Sequence, residues 1–357
     1  MASRSRRLPL ALVALVVLAA CGRAGLPVAP ERVTPLPAGD MTVAVVERAL
    51  EVGWTPPTRR ADGARLRDLT LLRLFRSEDD GAGEPKPALA DGRRVPGYTE
   101  VAAIKPGEPA PATFEGGRMV WADRGPFTLG RRYTYVVLAE DGRGHVSPPS
   151  ERASAWMIAA PAPPGELQTK PGEREVRLTW RPSATLVDGT PARGVVYEIL
   201  RAPGPDAALD IVTVTAAGAT QFVDRGLENE RPYVYVVRAL RTFRGTLARS
   251  EDSARVTGTA VDMTPPRVPA DLAAVPSQGT VRLVWSASPD ADVGRYVVYR
   301  AREGAAPERV GSVAAPGVTF TDREVPAGRW RYAVSAQDTS SRANESARSA
   351  EVTVTVP

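Results

Sequence analysis

Three times in this chain an alternating apolar run ends in tryptophan: Leu50-Glu51-Val52-Gly53-Trp54, Val176-Arg177-Leu178-Thr179-Trp180 and Val281-Arg282-Leu283-Val284-Trp285. In each run the first, third and fifth side chains are apolar. At the two-residue period of a strand this places them on one face, with the Trp turned into a core. A helix would scatter the same positions around its axis, so the pattern commits these segments to sheet. Thirteen residues before each Trp stands Met41, Leu167 or Leu272, and Pro164 and Pro269 precede the last two by three more.

The recurrence continues downstream. An aliphatic strand closing in Arg follows each Trp: Leu72 to Arg76, Tyr197 to Arg201 and Tyr296 to Arg300. Next comes an aromatic residue two before an Asp, as Trp121/Asp123, Phe222/Asp224 and Phe320/Asp322. Last is an alternating strand, Tyr133-x-Tyr135-x-Val137-x-Ala139, Tyr233-x-Tyr235-x-Val237-x-Ala239 and Trp330-x-Tyr332-x-Val334-x-Ala336. One unit is thus written three times. Its Val, Thr and Tyr content, and its turn residues every ten or so positions, predict an antiparallel β-sandwich of about seven strands and about 100 residues.

This combination resembles the fibronectin type III family over nearly all of the chain beyond residue 20. The resemblance implies an all-β chain of three tandem immunoglobulin-like sandwiches, at 38–159, 160–262 and 263–357. Trp54, Trp180 and Trp285 are expected in the cores. The family's corner tyrosine, whose hydroxyl bonds back to the chain near the sandwich edge, falls on Tyr133 and Tyr233. Trp330 takes that place in the third unit, and an indole offers a donor but no acceptor, so a rearranged corner is expected there. Proline-rich joints at 159–164 and 262–266 predict a rod of three beads with little hinge freedom.

The N-terminus reads as an address. Arg4, Arg6 and Arg7 precede Leu8–Ala20, thirteen residues apolar except for Pro9. That is too short for a membrane-spanning helix, which takes about 20 residues, and it suits an export signal. The run ends in Leu18-Ala19-Ala20-Cys21-Gly22, which resembles a bacterial lipobox. The resemblance implies a signal peptide at 1–20, a diacylglycerol on Cys21, a membrane partner through that lipid, and a Pro-rich tether over 21–37. Gly22 in place of Asp after the Cys implies the outer membrane, hence a lipid-anchored protein of the cell envelope. An ordinary export signal with an incidental thiol is the alternative. The start Cys21-Gly22-Arg23-Ala24-Gly25-Leu26-Pro27 is also faintly similar to the short lipoproteins that accompany the lipopolysaccharide translocon, which would imply a partner in outer-membrane assembly.

Composition removes most chemistries. One Cys and one His in 357 residues cannot furnish a zinc site or a disulfide, and no Gly-x-Ser-x-Gly elbow exists for His145 to serve. His145, in a Gly-flanked loop, reads as solvated, and Glu78, Asp79 and Asp80 read as a wet turn. Asp290-x-Asp292 lacks a third acid at EF-hand spacing. Loss of residues 1–20 would remove three Arg and lower the formal charge from +5 to +2, so no nucleic-acid partner is expected. No catalytic residue, metal site or cofactor is expected.

The three units differ in one respect. From the strand-closing Arg to the next Asp the interval is 47 residues in the first unit, 23 in the second and 22 in the third. An insertion is expected around 77–97, with Tyr98 and Trp121 flanking it as a possible aromatic platform for a ligand, although Trp121 also fits the core beside Phe222 and Phe320. The favoured function is a non-enzymatic scaffold or binding array for an envelope protein or polysaccharide. The alternative is an accessory or catalytic subunit acting on carbohydrate, which would need two carboxyl groups about 5 to 9.5 Å apart in a cleft.

Overall fold

The computed structural model describes residues 33–357, and among them every regular element is a strand or an isolated bridge. The expected export signal, Cys21 and most of the expected tether lie outside the described residues. The chain divides into two compact units: residues up to Val43 with Leu50–Trp156, and Ala44–Ala49 with Met157–Pro357.

The first unit holds β1 (Gly39–Val46) up to Val43, β2 (Ala49–Thr55) from Leu50, β3 (Leu69–Asp79), β4 (Thr99–Ile104), β5 (Thr113–Glu115), β6 (Arg118–Asp123), β7 (Arg132–Asp141) and β8 (Ala153–Trp156). They run β1-β2-β6-β5 in one sheet and β4-β3-β7-β8 in the other. The second unit holds two sandwiches. One is built from β9 (Gly165–Gly172), β10 (Glu175–Arg181), β11 (Val196–Ala202), β12 (Asp210–Val214), β13 (Gln221–Arg225), β14 (Pro232–Phe243), β15 (Thr246–Asp252) and β16 (Val256–Thr259). Sheet β13-β10-β9 lies opposite β12-β11-β14, and β14 also carries β15 and β16. The last sandwich sets β17 (Ala270–Ser277), β18 (Thr280–Ser286) and β21 (Thr319–Arg323) against β20 (Glu308–Ala314), β19 (Val293–Arg302), β22 (Gly328–Asp338) and β23 (Val352–Val356).

The sequence alternation is what makes these layers. β10 and β18 share one burial pattern in which every second residue is buried. Trp54, Trp180 and Trp285 are 0, 5 and 4% exposed. Cross-strand register repeats as well: Val52 faces Trp121, Leu178 faces Phe222 and Leu283 faces Phe320. Each core draws on both sheets, as where Leu178 and Trp180 meet Tyr197, Ile199 and Tyr235. Trp180 and Trp285 meet Tyr197 and Tyr296 edge to face, at 5.3 and 5.5 Å between centroids.

In each sandwich the long strand β7, β14 or β22 is bonded by two serines of the chain that follows it. Val137 and Ala139 donate their N–H groups to Ser150 and Ser147 Oγ, both at 2.9 Å. Val237 and Ala239 do the same to Ser253 and Ser250, at 3.0 and 2.9 Å, and Val334 and Ala336 to Ser349 and Ser346, at 3.1 and 2.9 Å. Each hydroxyl then donates to the carbonyl of the next residue, for example Ser253 to Ala254 and Ser346 to Ala347. A hydroxyl that both accepts and donates satisfies the backbone N–H of the longer strand and the carbonyl beside its own residue at once.

The extra length of the first unit is divided between two places. β3 runs through Asp79, so residues 77–79 are strand. Nineteen residues, 80–98, precede β4, where the other sandwiches use 203–209 and 303–307. Residues 105–117, with the short β5, precede β6, where the others use 215–220 and 315–318. The first segment folds back over the sheet: Ala88, Val95 and Tyr98 pack with Phe75, Val136 and Leu138 in a small apolar cluster of their own. Covering large apolar side chains, at about 1.5 to 3 kcal/mol each, explains why this stretch is ordered despite its Gly and Pro content. The end of the expected tether is docked too. Leu36 N–H donates to Arg59 O and Ala61 N–H to Thr34 O, both at 3.0 Å.

Candidate functional site

The residues of this chain that could carry chemistry are its acids, so the question is what each carboxylate touches. A buried Asp at the end of a strand sits in the same network in every sandwich. Asp123 accepts from Arg76 Nη1 at 2.7 Å and Tyr135 Oη at 2.8 Å. Asp224 accepts from Arg201 at 2.9 Å and Tyr235 at 2.8 Å, and Asp322 from Arg300 at 3.1 Å and Tyr332 at 2.8 Å. An arginine near the end of β3, β11 or β19 thus reaches across to the Asp at the end of β6, β13 or β21. Burial, reinforced by the adjacent carboxylate, pushes the Tyr135, Tyr235 and Tyr332 hydroxyls far above the usual phenol range. These hydroxyls remain donors. The carboxylates they hold are committed to the fold and do not serve as general bases.

The corner residues stand just outside these networks. Thr128 N–H donates to Tyr133 Oη at 2.8 Å, and Glu228 N–H to Tyr233 Oη at 3.5 Å. In the third sandwich the direction is reversed: Trp330 Nε1 donates to Pro326 O at 2.8 Å. Arginines lie over these rings, Arg201 over Tyr233 and Arg300 over Trp330.

Of the platform pair, Trp121 is 9% exposed, in register with Val52. Tyr98 is half-buried, and its hydroxyl donates to Lys86 O at 2.7 Å. Trp121 lies on β6 and Tyr98 at the end of the 80–98 segment, in an apolar cluster that does not include Trp121. A shallow depression beside that segment is lined by Ala88, Ser150, Glu151 and Arg152.

His145 departs from the solvated role expected of it. Its Nδ1 lies 3.0 Å from Asp141 Oδ2, and its own N–H donates to Asp141 Oδ1 at 2.9 Å. Arg60 also pairs with Asp141, and with Asp68. Burial alone would raise the Asp141 carboxyl, but the hydrogen bonds from Arg60, His145 and Arg143 outweigh it and hold the group well below the usual carboxylate range. Glu78 and Asp79, expected in a wet turn, lie on β3 instead and pair with Arg131 and Arg132, each at 2.9 Å.

Asp290 and Asp292 part company. Asp290 binds Arg267, whose Nε donates at 2.9 Å. Asp292 meets Asp262 and Asp338, with one carboxylate oxygen from each lying within 4.8 Å of the others. A hard cation takes oxygen ligands of this kind, but six to eight of them for Ca²⁺. Three carboxylates are a partial set, and Asp338 already accepts from Ser340 and Asn344. Sequence spacing does not reveal this grouping because its members come from a linker, a loop and the end of β22.

No family model matches this chain. It is 31% identical over 280 residues to Exoglucanase B of Cellulomonas fimi, a match that takes in 75% of this chain and 23% of that protein. The chain therefore spans about a quarter of the length of the curated relative it matches. Among solved structures it is similar to the chicken CNTN1 FN1–FN3 domains, at 15% identity and a TM-score of 0.30, over 90% of this chain and 99% of that one.

Proposed function

We propose that this chain is a non-catalytic array of β-sandwiches, anchored to the cell envelope through a lipid on Cys21, that presents its outer faces to an envelope protein or polysaccharide. The observation that carries the reading is the use of the acids. Of the five buried aspartates among the described residues, three are spent on Arg–Asp–Tyr networks, Asp141 on Arg60 and His145, and Asp338 on Ser340 and Asn344, while Glu78 and Asp79 pair with Arg131 and Arg132. A glycosidase needs one carboxyl free to donate a proton and a second free to attack or to activate water. The similarity to an exoglucanase favours a polysaccharide over a protein as the partner, and also favours a second reading, that of an accessory module working beside a carbohydrate-degrading enzyme.

Intact-mass measurement on the protein taken from its native membrane tests the anchor, with a diacylglycerol-sized increment on a chain beginning at Cys21 as the expected result. An unmodified thiol would remove the anchor from the proposal. Co-sedimentation of the lipid-free chain with insoluble β-glucan and with cell-wall polysaccharide, followed by reducing-sugar measurement on the same samples, tests the rest. Retention without sugar release is expected, and release above background would refute the non-catalytic reading.

A further inference from the structure

The segment joining the second and third sandwiches is gripped from both sides. Upstream of its prolines, Val261 N–H donates to Gly172 O at 3.1 Å, and Glu230 N–H donates to Ala260 O at 2.7 Å. Glu173, between β9 and β10, accepts from Met263 N–H at 2.6 Å and from Thr264 Oγ1 at 3.2 Å, while its other oxygen accepts from Asn229 Nδ2 at 2.8 Å. Asn229 in turn accepts from Arg174 N–H at 2.9 Å, which fixes the turn that carries Glu173. From the other side, Asn344 Nδ2 donates to Asp262 O at 3.0 Å and to Asp338 Oδ2 at 2.9 Å. Downstream of the prolines Arg267 is tied to Asp290. One bond crosses directly between the sandwiches, from Ser341 Oγ to Glu230 at 3.0 Å.

Prolines limit the bending of a linker but do not attach it to anything. Sandwiches joined by a short linker alone would reorient freely, which is the default for modules sharing little interface. Here donors and acceptors from both modules converge on the same few linker residues. The hydrogen bonds from Asn229 and Met263 hold the Glu173 carboxyl below its ordinary range, consistent with an acid that works ionised.

We propose that residues 260–267 form a latched elbow, pinned by Glu173 of the second sandwich and Asn344 of the third, so that these two modules move as one rigid body. The latch makes the array present a fixed angle between two binding faces. It rests on the hydrogen bonds at the joint and not on the lipid anchor or on any ligand, so it stands or falls separately from the function proposed above.

Double electron–electron resonance on the full chain tests it. Spin labels are placed at Thr179→Cys on the second sandwich and Arg282→Cys on the third, both exposed, with Cys21→Ser to leave only those two thiols. A single narrow distance distribution is expected. Glu173→Ala and Asn344→Ala should each widen it about twofold, toward the freedom of a simple linker, while Asp188→Ala, at an exposed loop position, leaves it unchanged. Circular dichroism and melting of each variant show whether it folds, and if Glu173→Ala does not, Asn344→Ala gives the answer alone. A broad distribution in the parent chain, or folded latch variants as narrow as the parent, would overturn the proposal.

Discussion

Replacing Asp224 by Ala removes the acceptor at the centre of the second sandwich's polar network. Two donors lose their partner: Tyr235 Oη, wholly buried, and Arg201 Nη1, whose side chain is one-third exposed. The stranded phenol is the larger loss, since an unpaired buried hydroxyl costs about 1 to 3 kcal/mol. Arg201 can turn toward water, so its part of the ion pair is discounted to less than about 1 kcal/mol. The sum, about 1 to 4 kcal/mol, is a large share of the roughly 5 to 15 kcal/mol that stabilises a domain. For about 100 residues it should lower the melting temperature by about 5 to 30 °C, read by calorimetry as a shift of the transition containing this sandwich. Tyr235→Phe alone leaves Asp224 with Arg201 and should cost about 1 kcal/mol. The double variant removes acceptor and donor together and should cost less than Asp224→Ala alone, because no buried polar group is then orphaned. The reasoning fails if Asp224→Ala melts within a degree or two of the parent, or if the two single losses simply add.

Three further outcomes follow from the packing and the charges. Asp141 is held below its unfolded value, so its contribution is present above about pH 3.9 and is lost as the pH falls toward the lower native value; the first unit should lose stability below about pH 5, and Asp141→Asn should flatten that part of the pH–melting profile. Trp180→Ala empties a core whose Trp is 5% exposed, costs about 3 to 5 kcal/mol and should abolish the protected amides of β10 and β13 in hydrogen exchange, while those of β3 and β7 persist. Val95→Asp puts a charge into the small cluster over β3 and β7 and should detach the 80–98 segment, seen as new proteolytic cleavage there with the sandwich still folded.

The repeat was legible because each of its marks sits at a fixed interval and recurs. The alternation ending in Trp54, Trp180 and Trp285 determines both the strand and its buried face, and those residues need no partner outside their own sheet pair to be recognised. The same spacings brought Arg76, Arg201 and Arg300 and Asp123, Asp224 and Asp322 into view, but not the fact that they touch, since a strand end says nothing about which side chain crosses to it. The corner in the third sandwich could be anticipated from donor chemistry alone, and Trp330 does reverse the bond. The 80–98 segment was opaque for a different reason. Its Gly, Pro and Asp content resembles an exposed loop, and the signal that it is covered lies elsewhere, in the apolar outward positions Phe75, Val136 and Leu138. Glu173 and Asn344 carry no pattern at all, because a joint is made by residues distant in sequence on two modules.

The polar skeleton also bears on where binding can occur. In each sandwich the Arg–Asp–Tyr network ties one sheet to the other, and two serines tie the last segment to the strand beside it. Both devices act inside the module and leave the outward residues of β10, β13, β18 and β21 facing solvent, where in the second module Arg177 reaches Gln221 and Arg225 pairs with Glu175 across the same sheet. Those residues differ between the modules, as Arg177, Thr179 and Arg225 in the second and Arg282, Val284 and Thr321 in the third. The interior is repeated while the exterior is not, which is the arrangement expected if the modules share one architecture and divide recognition among different faces. Exchanging the outward residues of β10 and β13 for those of β18 and β21 should then move binding without changing either melting transition.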